Sequence, residues 1–423
     1  MKYQMCNMLA VVVGLLIAGG AAAAHDLSGQ VVDAKTGAGI AGAVVTVGSR
    51  VVATDSAGQF SIDANSDIVR VRAAGYMRQD RAAAALSGTG ARIRLTAFAP
   101  KALYLSFYGI GNAKLRNAAL SLIRSTELNA VVIDIKGDRG FVPYRSRVPL
   151  ATEIGAQHII TIPDLGALLR SFHEDGIYTI ARIVAFKDDP LGAARPDLAV
   201  KTANGVIYRD REGLRWVDPT SREVWNYNIA IAEEAARAGF DEIQFDYLRF
   251  PDSAQVHFPP PNTVASRTQA IGGFLETARQ RLVPYNVFLS VDVFGYICWN
   301  VDDTRIGQRL EDILPRVDYL SPMLYPSGFQ FGIPGYRNPV AHAYEIVRRS
   351  LDRVRERTNA SPLRIRPWLQ AFQDYAFDRR QFGADEIRLQ VRAAEEFGSN
   401  GWMLWNPANV YPSDGFEAKI SCR

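Results

Sequence analysis

The chain has 423 residues, of which 48% are hydrophobic and 22% charged, and a formal net charge of +4. That is the composition of an ordinary globular protein, long enough for two or three domains. A positive charge so small and dispersed excludes a dedicated nucleic-acid-binding protein and allows only weak attraction to acidic polymers.

Residues 1–24 read as a secretory signal peptide. Lys2 is the only early charge, Met8 to Gly19 form an apolar run, and Ala21 to Ala24 supply small residues for cleavage. The rival reading is a membrane-anchor helix. Cys6 precedes the apolar run and is not placed as a lipoprotein cysteine. The mature protein is therefore expected to be secreted or periplasmic, with no stable membrane anchor after cleavage. Cys298 and Cys422 would remain. In an oxidising compartment they could close one disulfide, or stay as two buried thiols. The five histidines form no HExxH or other ligand cluster, and there is no CxxC. No metal or organic cofactor is expected.

Residues 25–97 carry short strand patterns over 27–33, 42–47, 51–55, 59–63 and 68–72, separated by turn residues such as Lys35-Thr-Gly37 and Asp55-Ser-Ala-Gly58. Even spacing of this kind predicts an all-β sandwich. The run Gly29-x-Val-Val-Asp-x-x-Thr-Gly-x-x-Ile-x-Gly-Ala-x-Val45, followed by Thr54-Asp-Ser-Ala-Gly-x-Phe60, resembles the carboxypeptidase regulatory-like sandwich. The resemblance implies a non-catalytic accessory module.

From Pro100 the pattern changes to alternating strands and helices. Strands are predicted over 102–108, 130–136, 178–186, 242–248, 288–294, 319–325, 364–371 and 401–406, with helices such as 165–175, 221–238, 266–282, 341–357 and 385–397 between them. Eight strands in this rhythm predict a (β/α)8 TIM barrel over residues 98–423. A doubly wound open sheet is the rival, but Tyr108-Gly-Ile-Gly-Asn112 offers only a lone GxG where that fold carries a phosphate loop. The barrel should need only its own strands, so it is expected to fold without residues 25–97.

Within this pattern, Asp246 stands near the C-terminal end of an apolar strand, Asp241-Glu-Ile-Gln-Phe-Asp-Tyr-Leu248. A buried, unpaired carboxylate costs several kcal/mol, and the C-terminal ends of barrel strands are where catalytic groups sit. Asp292 repeats the arrangement in Val287-Phe-Leu-Ser-Val-Asp-Val-Phe294. Side chains alternate along a strand, so Gln244 with Asp246, and Ser290 with Asp292, share the face expected to point inward. Two carboxylates across a small gap are the machinery of glycoside hydrolysis.

The same parity selects polar groups on other strands. They are Asp134, Lys136, Arg182, Tyr325, Gln370 and Asn406, which with Trp405 are the candidate substrate contacts. Arg249 would contact substrate or pair with Asp246. An internal ion pair, Asp134–Lys136 or Asp134–Arg182, is the bland alternative for the charged residues. Asp218, ahead of Pro219, reads as a helix N-cap. Asp241 and Asp318 fall at strand starts, on the far face. The loops after Phe186 and around Trp216 and Phe258 should lie on the top face, where aromatic rings suit the C–H faces of sugars.

Gly239-Phe-Asp-Glu-Ile-Gln-Phe-Asp-Tyr-Leu-Arg-Phe-Pro251, Ser290-Val-Asp-Val-Phe-Gly295 and Tyr319-Leu-Ser-Pro-Met-Leu-Tyr-Pro326 resemble a bacterial family of glycosyl hydrolase domains. The resemblance runs from about residue 100 to the C-terminus. It implies a barrel related to the α-amylase and α-galactosidase group, whose Asp nucleophile ends the fourth strand and so falls on Asp246. Where α-amylase-like enzymes place a Glu acid/base at the end of strand five, this chain has Asp292. The expected protein is a glycoside hydrolase acting on a polysaccharide or oligosaccharide, retaining in mechanism. The alternative is a catalytically inactive barrel that binds polysaccharide, with its carboxylates tied up in ion pairs to Arg182 or Lys136.

Overall fold

The computed structural model describes residues 25–64, 66–86, 91–259 and 261–419. The expected signal peptide and Cys422 lie outside the described residues. Cys298 is fully buried. No helix among the described residues is long and apolar enough to cross a membrane.

The first 70 or so described residues form seven strands. These are β1 (His25–Asp33), β2 (Val44–Val47), β3 (Arg50–Ala53), β4 (Gln59–Ala64), β5 (Ile68–Arg72), β6 (Gln79–Ala82) and β7 (Ala91–Leu95). They build two sheets, ordered β4-β1-β7 and β3-β2-β5-β6. Alternate residues, among them Val31, Val45, Val47, Val69, Val71 and Ile93, bury between them. Two of the seven strands go beyond the five expected. β6 is a charged edge strand with no buried residue, so it carries no apolar period to read.

Eight parallel strands then close a barrel. They are β8 (Lys101–Leu105), β9 (Ala130–Lys136), β10 (Tyr178–Val184), β11 (Glu242–Asp246), β12 (Phe288–Phe294), β13 (Tyr319–Met323), β14 (Trp368–Gln370) and β15 (Trp402–Trp405). Each pairs with its sequence neighbours, and β15 pairs with β8. Odd-numbered side chains of β11, Ile243 and Phe245, join the apolar layer against the surrounding helices. The even parity faces the axis. The longest helices are α1 (Ala113–Ser125), α2 (Leu165–Glu174), α3 (Arg222–Ala238), α4 (Val264–Leu282), α5 (Ala343–Thr358) and α6 (Ala384–Phe397). α3 shows how local sequence sets an element's ends. The Ser221 side chain accepts from the Val224 amide at its start, and Gly239 takes φ 118° at its end, a conformation that favours glycine. The N-cap is thus Ser221. Asp218 instead accepts from the Thr220 amide and hydroxyl in the turn just before it.

The sandwich is not a freely hung module. Ala74 and Met77 pack against the interior cluster at the barrel's N-terminal end. The Gly75 amide donates to the Tyr319 hydroxyl at 3.2 Å. Arg72, itself buried, lies 3.3 Å from Asp318. Arg78 reaches Asp241 at 3.2 Å and also donates to the carbonyls of Phe240, Tyr285 and Asn286. Asp241 and Asp318, the acidic strand starts, therefore anchor the sandwich. These contacts set the expectation that the barrel needs only its own strands against an interface that the shortened chain would lose. Composition cannot show that one end of a barrel is left for another domain to close.

Candidate active site

Arg182 on β10 organises the opposite, C-terminal end of the barrel. It is 1% exposed. Its Nε and Nη2 donate to Asp246 Oδ2 at 3.0 and 2.6 Å. Nη1 donates to Asp134 Oδ1, and Nη2 to Asp138 Oδ1, each at 2.7 Å. Nε also lies 4.0 Å from Asp292 Oδ2. Four carboxylates thus surround one guanidinium, whose planar fork suits several acceptors at once. The rings of Trp405 and Tyr104 stand 4.7 and 5.6 Å from it and are stacked on each other at 4.0 Å.

Asp246 ends β11 and lines the cavity above. Its Oδ1 accepts from the Tyr247 amide at 2.6 Å. Tyr247 adopts φ 47°, a strained value for an aromatic residue, and the turn it makes brings that amide back onto the carboxylate. Oδ1 keeps one acceptor position, because a carboxylate offers about four in all. Arg249 does not pair with Asp246. Its guanidinium lies 4.9 Å from the Trp216 ring and 5.2 Å from that of Tyr247, on the cavity wall.

Asp292, one strand on, is 1% exposed. Oδ1 accepts from the Trp368 indole at 2.7 Å. Oδ2 accepts no hydrogen bond from the described residues. Burial first, then the nearby Asp246 charge, push its carboxyl well above the ordinary carboxylate range, against the opposing pull of Arg182 and Trp368. Asp134, which accepts from the Tyr104 hydroxyl at 2.7 Å and the Phe107 amide at 3.1 Å, is raised to about 6 by burial, with Arg182 again opposing. Asp246 Oδ2 and Asp292 Oδ2 lie 3.0 and 4.0 Å from the same Nε, so they are at most about 7 Å apart. That bound keeps the pair from lying farther apart than carboxyls that flank one glycosidic bond. Asp292 itself lies beneath the cavity wall, under Trp368, which does line the cavity.

The cavity holds about 480 Å³. Of the residues expected to contact substrate, Arg182, Arg249, Tyr325 and Trp405 line it. Asp134 reaches the site only through Arg182. Lys136, Gln370 and Asn406 are not brought to it, and for them the expectation is corrected. Gln370 donates to Ser327 Oγ and Phe372 O and accepts from the Ser327 amide, which fixes the loop after β13. Asn406 spends its amide on Ala371 O, Val410 O and the Ala408 amide. Lys136 is fully buried 2.7 Å from Asp188 and donates to Val184 O and to Asn228 on α3. The pairing shows why. Arg182 pairs with Asp134, but the next residue, Ile183, pairs with Lys136, so Ile135 is an extra residue and the parity slips. Lys136→Met should therefore cost about 3–5 kcal/mol of stability, because it strands the Asp188 charge. Urea unfolding would read this, with retention of saccharide unchanged in the folded fraction.

Asp138 was not foreseen. It lies in the turn Gly137-Asp-Arg-Gly140, where no strand period operates. Among the described residues no cluster of His, Cys, Asp and Glu has the arrangement to hold a metal ion.

The family described as "Putative glycosyl hydrolase domain" matches residues 102–411. No curated protein matches the chain. Among solved structures, a hypothetical protein from Ruminiclostridium thermocellum is 41% identical over 45% of this chain and 97% of its own, with a TM-score of 0.41. The glycoside hydrolase domain of PgaB (BpsB) from Bordetella bronchiseptica is 15% identical over 76% of this chain and 99% of its own, with a TM-score of 0.53. The β-galactosidase from the psychrophilic Marinomonas ef1 is 12% identical over 73% of this chain and 54% of its own, with a TM-score of 0.52. The last two share the fold. With the match spanning nearly the whole barrel, carboxylates included, the chain belongs to this glycosyl hydrolase domain family and is a glycoside hydrolase built on a (β/α)8 barrel.

Proposed function

We propose that the protein is a secreted, retaining glycosidase that cleaves a polysaccharide or oligosaccharide with Asp246 and Asp292. The observation that carries this reading is the gathering of both carboxylates on Arg182, with Asp246 on the cavity floor and Asp292 raised by burial. Environments that differ in this way separate a nucleophile from an acid. Asp246 attacks the anomeric carbon as the anion. The bond to the leaving oxygen breaks, and that oxygen takes the proton of Asp292. Water then gives a proton back to Asp292 as its oxygen displaces Asp246 from the sugar. Trp368 must shift for Asp292 to meet the leaving oxygen. Secretion rests on the 1–24 signal pattern, and residues 25–97 serve as an accessory module that takes no part in the chemistry.

A binding-only reading is favoured by two observations. Both oxygens of Asp246 accept hydrogen bonds, and Asp292 stays off the cavity wall. A screen of secreted and cell-wall polysaccharides for new reducing ends, with wild type and Asp246→Asn side by side, separates the two. NMR of the first-formed anomer tests retention. The pH profile adds a further check. Asp292 must hold its proton to act as an acid, so kcat/KM should fall as pH rises through its raised value. Asp292→Asn should remove that alkaline fall and slow substrates with poor leaving groups most.

A further inference from the structure

The cavity above Asp246 does not end at its own wall. A second cavity of about 790 Å³ adjoins it, and the two share Tyr247, Arg249, Phe294, Tyr296 and Tyr375. Together they form a trough leading outward from the carboxylates. At the outer part stands Phe331, 90% exposed. A single exposed apolar side chain is ordinary in itself. This one is held in place. Its amide donates to the Tyr296 hydroxyl at 2.8 Å, and that hydroxyl donates to the Gly332 carbonyl at 3.2 Å. Gly332 takes φ +71°, and a Cβ there would meet the Tyr336 carbonyl at 2.5 Å, so the turn is built for glycine. The Gly332 amide donates back to Phe329 O at 2.8 Å, and Ile333 pairs with Tyr336 beyond it. The Tyr296 and Phe331 ring centroids are 6.3 Å apart.

We infer that Phe331 is a stacking platform for a sugar ring several units away from the bond that is cut. The inference rests on the glycosidase reading of the same trough and extends it to the substrate: a chain long enough to fill the trough, bound along its interior. The polymer is the occupant because the trough is continuous with the floor that carries Asp246. The braced turn fixes where the ring stands, so little backbone freedom is lost when a sugar's C–H face settles on it.

The test compares Phe331→Ala with wild type on substrates of two lengths. Glycol chitin, carboxymethylcellulose and alginate serve as polymers, with their oligosaccharides of two and of six or more units. On the long substrates kcat/KM should fall about five- to tenfold, mainly through KM, with no change on disaccharides. Phe331→Trp should restore the long-chain rate. Equal loss at both lengths, or none at either, overturns the inference. If wild type cleaves none of these, the glycosidase reading has failed for them, and binding decides the subsite separately. Native gels containing each polymer then compare the full chain carrying Asp246→Asn with the same chain carrying Phe331→Ala as well. Weaker retardation of the double variant supports the platform. Equal retardation, or none with any polymer, overturns it.

Discussion

Asp246→Asn is expected to lower kcat by at least about a thousandfold while leaving the fold and polymer binding intact. Loss of a group that acts only in the transition state reduces kcat and kcat/KM together. Asn keeps the shape of the side chain, and Arg182 retains Asp134 and Asp138 as partners at 2.7 Å. The variant should therefore unfold close to the wild-type midpoint and still be retarded by substrate in native gels. Cleavage at an undiminished rate by the purified variant would remove Asp246 from the chemistry. No cleavage by wild type on a broad polysaccharide panel, with binding preserved, would favour the binding-only reading.

A chain reduced to residues 98–423 is expected to be insoluble or molten. Removal of the sandwich takes Arg72 from Asp318 and the half-buried Arg78 from Asp241. It also uncovers the barrel's apolar lower layer, where Tyr178, Phe288 and Tyr319 are buried. These losses fall together on one end of the barrel, against a stability of only about 5–15 kcal/mol for a typical domain. Circular dichroism and dye binding on the shortened chain would check the result. A cooperative melt near that of the full chain would show that the barrel closes itself. Arg78→Ala in the full chain is the milder probe and should lower the midpoint without abolishing folding.

The barrel was legible because each strand is an apolar run between helical periods, and six of its eight strands agree with the expected spans at both ends to within two residues. Asp246 and Asp292 were legible for a related reason: a carboxylate inside such a run conflicts with burial unless chemistry or a partner explains it. Parity carried the argument only as far as the ladder stayed regular. The extra residue at Ile135 turned Lys136 outward toward α3, and nothing in the local sequence marks that slip. Gln370 faces the expected way but is consumed by the loop it supports. Asp138, Arg211 and Tyr375 come from loops, where position is set by tertiary contacts and not by period. The sandwich's lock on the barrel was equally hidden, since Arg72 and Arg78 look like surface charges on short strands and turns.

Arg182 carries one positive charge among four acidic side chains. Burial and the Asp246 charge both favour the proton on Asp292, so the state of one carboxylate is tied to the charge of its neighbour. The alkaline limb of a pH–rate curve then reports Asp292 together with the charge beside it. Taking the charge from Asp246 lightens the negative field on Asp292, which releases its proton more readily, and the alkaline limb moves even though the altered residue is the other one.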